Sequence, residues 1–128
     1  MSLEGVIAEL NKKYKKIINE GVVYEPAERI PFSSPNLNYM TYGGLPQGRI
    51  VEFAGEEGGG KTTTALDVIK NAQNMFPDKK AVYVDVERTF DPEWAERLGV
   101  DVDSLVLVTP EEQTAEQIFE ITKQIVET

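Results

Sequence analysis

The sequence predicts an α/β chain: a parallel sheet with helices on both faces, preceded by an N-terminal amphipathic helix. Three observations carry that expectation. Apolar runs at residues 50–54, 81–86 and 105–108 are short and continuous rather than alternating, as in strands buried on both faces. A stretch with helical spacing follows each run, so strand and helix alternate three times. Residues that cap or break helices sit at the joints. Right-handed crossovers would then bring the strand ends, including Gly55 and Glu87, to one edge of the sheet.

At 128 residues the chain is long enough to bury a core, and 41% hydrophobic with 27% charged residues is an ordinary globular composition. It has no cysteine, which excludes disulfides and thiolate metal sites and suits a reducing, cytoplasmic setting. It has no histidine either, so acid–base work falls to carboxylates, Lys or Tyr. Thirteen basic against 22 acidic residues leave a net charge of −9, a poor balance for binding nucleic acid unaided. No apolar run approaches the length of a membrane span, and the N-terminus lacks the pattern of a secretory signal.

In order along the chain, Leu3, Val6, Ile7, Leu10, Tyr14, Ile17 and Ile18 predict a helix over residues 3–20, with Ser2 as cap and Gly21 as left-handed stop. Its stripe suits packing on its own domain or docking on a neighbouring subunit. Pro26 and Pro31 keep residues 21–31 extended as a connection, dividing an arm over 1–30 from a core over 31–128. Ser34 with Pro35 starts a short helical turn that Gly43-Gly44 ends, and residues 44–48 turn into the first strand. Ala65, Leu66, Val68, Ile69, Ala72, Met75 and Phe76 mark a helix of about four turns, stopped at Pro77-Asp78. After the second strand, Asp91 caps a short helix over 92–98 that Gly99 stops. Thr114 with Gln117 forms a capping box for the last helix, with Ile118, Ile121, Ile125 and Val126 facing inward.

The chemistry concentrates at residues 55–62, Gly55-Glu56-Glu57-Gly58-Gly59-Gly60-Lys61-Thr62. They satisfy G-x-x-x-x-G-K-[ST] between a strand and a helix, the pattern of a phosphate-binding loop. The glycines reach backbone angles that let successive N–H groups surround a phosphate. Lys61 sets a cation against the outer phosphates, the Thr62 hydroxyl suits the accompanying Mg²⁺, and the helix directs its positive end at the same point. Beyond the second strand, either Asp85 holds Mg²⁺ through water or Glu87 acts as the base that polarises a water.

Three stretches together, GGLPQGRIVEFAGEEGGGKTT, AVYVDVERTFDPEWAERLGVDVDSL and LVLVTPEEQTAEQIFEI, resemble the first half of the RecA recombinase ATPase core, a P-loop NTPase fold. The resemblance runs from about residue 31 to the C-terminus. It implies ATP and Mg²⁺ as ligands, held at Gly55, Glu57, Gly58, Gly59, Gly60, Lys61, Thr62 and Thr63. It makes Glu87 the group that activates water and Lys61 the stabiliser of the transferring phosphoryl. It lays Asp91 and Trp94 against the adenine, Trp standing where Tyr is usual. It further implies DNA-dependent ATP hydrolysis in homologous recombination and repair, on a single-stranded DNA filament assembled through the N-terminal helix. The chain departs from that pattern at Glu56, where the family has proline, at Gly58-Gly59, where it has small polar residues, and at Arg88-Thr89-Phe90. These departures suit a divergent, phage-borne member. The strand with the Mg²⁺-linked aspartate and the DNA-binding loops are not in these residues, so the core reads as truncated and the 128 residues alone as inactive. The residues leave open a small nucleoside or nucleotide kinase in which Asp85 serves Mg²⁺, a helicase-type or clock-type ring ATPase, and a module that binds nucleotide only to assemble.

Overall fold

The computed structural model describes residues 1–19, 21 and 26–128. Glu20, where the first helix was expected to end, and residues 22–25 of the expected connection lie outside the described residues. Five helices and two small sheets follow one another as α1 (Leu3–Lys13), β1 (Arg29–Ile30), α2 (Pro35–Met40), β2 (Leu45–Pro46), α3 (Lys61–Met75), β3 (Val82–Val84), α4 (Pro92–Arg97), β4 (Val106–Val108) and α5 (Ala115–Val126).

The parallel pairing expected of the second and third strands is present. β3 and β4 run parallel with Val82 opposite Val106 and Val84 opposite Val108, and the ladder extends through Asp85 N–H to the Val108 carbonyl at 2.8 Å. Alternation along β3 divides its side chains. Tyr83 joins Ile69, Phe90, Leu98, Val102 and Leu105 around the buried Leu66, Ala95 and Val100, which places α3 and α4 on one face. Val82 and Val84 turn the other way and line a cavity of about 260 Å³ with Thr122, Ile125 and Val126 of α5.

The first expected strand does not form. Residues 50–54 run without a ladder partner among the described residues, with Ile50 fully exposed and Val51 43% exposed. A strand exists through its neighbour's hydrogen bonds, and an apolar run supplies none by itself. Only Phe53 is partly buried, against Phe32 with ring centroids 6.4 Å apart. The sheet with helices on both faces therefore reduces to the β3–β4 pair. A separate antiparallel pair, β1 with β2, was not expected. There Gly44, at φ +119, lies where a Cβ would stand 2.1 Å from the Ile30 carbonyl oxygen, so the approach requires glycine. The Arg29 guanidinium ties the intervening loop by donating to the carbonyls of Thr41 and Gly44.

The expected caps hold at four helices. Ser2, Ser34 and Asp91 accept from the N–H three residues on, and Thr114 with Gln117 completes a capping box. The first helix, however, ends at Lys13 rather than running to residue 20. The Asn11 amide bonds both the N–H and the carbonyl of Ile18 at 2.7 Å, folding the chain back where Lys15 and Lys16 take positive φ. Gly21 has the expected left-handed angle, φ 80, but stands past that reversal. None of the α1 residues is buried, so its apolar stripe does not pack into this core. On α5, Ile118, Ile121 and Ile125 are half-buried, whereas Val126 is 79% exposed rather than inward.

α3 is anchored along its length. Gln73 exchanges hydrogen bonds with the backbone of Asp101, and Asn71 donates to the Pro31 carbonyl. Asp67 accepts from Ser33 N–H and pairs with Lys70, both at 2.8 Å. Leu66→Ala should destabilise the chain by about 2–5 kcal/mol in urea denaturation, because Leu66 is 2% exposed at the centre of the core. Burial raises the Asp67 pKa, but hydrogen bonds from Lys70 and Ser33 outweigh it and hold the carboxyl below its ordinary 3.8. A lowered carboxylate contributes stability above that value and loses it as pH falls through 3.8 towards the folded-state pKa. Acid unfolding of Asp67→Asn should lack this component.

Candidate active site

The loop between residues 54 and 61 wraps the N-terminus of α3. Gly60, at φ 89, is the helix cap, and among the described residues it brings no side-chain cap to the first-turn N–H groups. Such donors, with the helix dipole behind them, are of a kind that suits an anion. Gly58 also takes positive φ, 73. A Cβ on Gly59 would stand 2.9 Å from the Glu56 carbonyl oxygen, to which Gly59 N–H donates at 3.1 Å. The loop is thus a tight turn closed by its own main chain. Lys61 completes it: Nζ donates to the carbonyls of Gly55 and Glu56, both at 2.8 Å. The Thr64 hydroxyl bonds the Gly60 carbonyl, whereas Thr62 and Thr63 line the cavity.

A cavity of about 500 Å³ opens over this turn, lined by Glu57, Gly58, Gly59, Gly60, Lys61, Thr62, Thr63 and Glu87. Its volume is in the range of small-molecule sites. The elements that meet there are distant in sequence: the loop belongs to the start of α3, whereas Glu87 follows β3. Glu87 follows the C-terminal end of β3, and the cavity brings it together with the loop residues.

The two carboxylates left open by the sequence separate here. Asp85 is 6% exposed, and its two oxygens accept the N–H groups of Thr89 at 3.2 Å and Phe90 at 2.9 Å. It is a loop-closing group, absent from the cavity wall. Glu87 is exposed and lines the cavity. Tyr83, behind them, has its phenol pKa raised by burial and by the charges of Asp85 and Glu87.

Of the residues expected to contact nucleotide, Glu57, the three loop glycines Gly58–Gly60, Lys61, Thr62, Thr63 and Glu87 come together on one wall. Gly55 contributes its carbonyl to Lys61 instead of lining the cavity. Asp91 and Trp94 lie outside it. Asp91 caps α4 by accepting from Trp94 N–H at 3.1 Å, and Trp94 is 43% exposed on the first turn of that helix. Two residues beside the site have structural roles that the sequence reading did not give them. Asp85 could have been read as a strand-end Asx closing its own loop. Arg88 carries no local sequence signal. Among the described residues no helix is long and apolar enough to cross a membrane.

The family model of the RecA N-terminal domain matches residues 2–128. The chain is similar to Protein RecA of Saccharopolyspora erythraea and of Mycobacterium ulcerans, 40% identical to each over 129 aligned positions, and to that of an Arthrobacter species at 39%. Each alignment takes in 98% of this chain and 36% of the relative, so the chain spans about a third of the length of the curated relatives it matches.

Asp85→Ala should cost about 3 kcal/mol, since it leaves two amides without their charged acceptor. Urea denaturation reads the loss, and hydrogen exchange should show the Thr89 and Phe90 amides losing protection first.

Proposed function

This chain belongs to the RecA N-terminal domain family, and from that premise we propose that it is the ATP-binding portion of a DNA-dependent ATPase acting in homologous recombination. The observation that carries the reading is the single cavity wall on which Lys61, Thr62, the loop amides and Glu87 converge. Uncapped N–H groups and a lysine suit a polyphosphate, and the threonine hydroxyl suits the Mg²⁺ that accompanies it. Among the described residues, Glu87 lines that wall whereas Asp85 is engaged by two backbone amides, so Glu87 takes the role of orienting and activating water. Lys61 stabilises charge on the transferring phosphoryl.

Asp91 and Trp94 would hold the adenine only if the base extends past the cavity wall onto α4. Residues 1–30 act as an arm docking on an adjacent protomer, and residues 31–128 as the ATPase portion. The stripe of α1, none of whose residues is fully buried, supports that division. Contact with single-stranded DNA, as part of that reading, is not assigned to these residues, in keeping with the charge of −9, and the setting is cytoplasmic. The kinase alternative needs Asp85 to serve Mg²⁺, and both its oxygens are engaged by amides.

Calorimetric titration with Mg·ATP tests the site. Lys61→Ala should weaken binding by about tenfold to a hundredfold, the equivalent of a lost charge-assisted hydrogen bond. Glu87→Gln should bind as wild type yet lose about 10²–10⁴ of any turnover. Fast hydrolysis by the 128 residues without single-stranded DNA, or phosphoryl transfer to a nucleoside, would count against the recombinase reading.

A further inference from the structure

Glu87 hangs on a loop, and a loop end holds a catalytic geometry only if something fixes it. Asp85 closes that loop from inside. Its outer side is held by Arg88, the next residue after Glu87. Arg88 has φ 56, a conformation that costs a residue with a Cβ and persists where the surroundings over-determine it. The surroundings here are specific. Arg88 Nε and one terminal nitrogen converge on the Pro110 carbonyl at 3.3 and 3.2 Å, and that nitrogen also meets the Glu111 carboxylate at 3.3 Å. Pro110 and Glu111 lie in the connection from β4 to α5, so the guanidinium bridges the loops that follow two paired strands.

The geometry points to Arg88 as a positioning residue. By pinning the β3–α4 loop to the β4–α5 loop, it turns Glu87 towards the phosphate loop and keeps it there. The inference rests on the reading of Glu87 as the water-activating group. An exposed ion pair alone would not carry it, because with Arg88 49% and Glu111 78% exposed such a pair contributes little. The two donors on one main-chain carbonyl are the stronger half of the anchor. They act on backbone, so a change at the β4–α5 connection is transmitted to Glu87 without touching the cavity.

The test places Mn²⁺·ATP on the 128-residue chain and reads paramagnetic broadening residue by residue by NMR. In wild type, Gly60 to Thr63 and the Glu87 side chain should both broaden. Arg88→Gly removes the anchor while accommodating the positive φ. It should keep broadening at Gly60 to Thr63 and lose most of it at Glu87. The affinity of this variant for Mn²⁺·ATP should stay at the wild-type value. Arg88→Lys, able to donate to the same carbonyl, should retain Glu87 broadening, which separates positioning from loss of fold. Glu111→Gln should behave as wild type. Glu87 broadening that survives in Arg88→Gly, or that disappears equally in Glu111→Gln, overturns the carbonyl anchor. Broadening of the loop but never of Glu87 in wild type overturns the positioning role and leaves phosphate binding standing. Broadening at neither defeats the nucleotide reading itself, and this inference with it.

Discussion

Asp85 directs both carboxylate oxygens at the amides of Thr89 and Phe90, and the path of the chain from β3 into α4 follows from that. A buried carboxylate is costly unless its lone pairs are met, and here the loop's own main chain meets them. The loop must therefore curl back over the strand end. That curl lifts Glu87 away from the core to the cavity wall and delivers Asp91 to the start of α4 as its cap. Two acidic residues separated by one position thus have opposite surroundings, one sealed by hydrogen bonds and one open to a ligand.

The other half of the site owes its shape to α3. This helix reaches the core through Leu66 and is held at its far end by Gln73 on Asp101 and along one side by Asp67, Lys70 and Asn71 on residues 31–33. A helix fixed at so many points presents its first turn as a rigid donor array, which is what binding a polyphosphate requires. The segment before the loop is different in kind. Residues 50–54 have no ladder partner among the described residues and little burial, so the loop is anchored firmly on its helix side and lightly on the other.

The residues at which the chain departs from the family pattern can be judged against this geometry. At position 56 the loop uses the main-chain carbonyl, which accepts from both Gly59 N–H and Lys61 Nζ. The side chain there has no part in closing the turn, which accounts for a glutamate in place of the expected proline. Gly58 and Gly59 carry more constraint. Gly58 has positive φ, and a Cβ at 59 would press on the Glu56 carbonyl, so glycine at both relaxes the turn.

Local rules made much of this protein legible. The loop motif, the four helix caps, the extent of α3 and the parallel β3–β4 pair all depend on residues within a few positions of one another or on continuous apolar runs, and they stand where the sequence puts them. The grouping of Glu87 with Lys61 and Thr62 on one cavity was also expected, although its premise of three strand ends at one sheet edge was not met, because residues 50–54 pair with no strand among the described residues. What the sequence misjudged depends on partners elsewhere in the chain. A strand at 50–54 needs a neighbour's hydrogen bonds, and the first helix was cut short by the Asn11 amide meeting the backbone of Ile18. Which carboxylate faced the cavity, and that Arg88 would grip the Pro110 carbonyl, were settled by hydrogen bonds closed only when the loops met. Sequence alone determined the loop motif and so the kind of site to expect, because motif chemistry is local; tertiary structure decided which side chains line the cavity and which are held by other groups, because that depends on which polar groups are already paired.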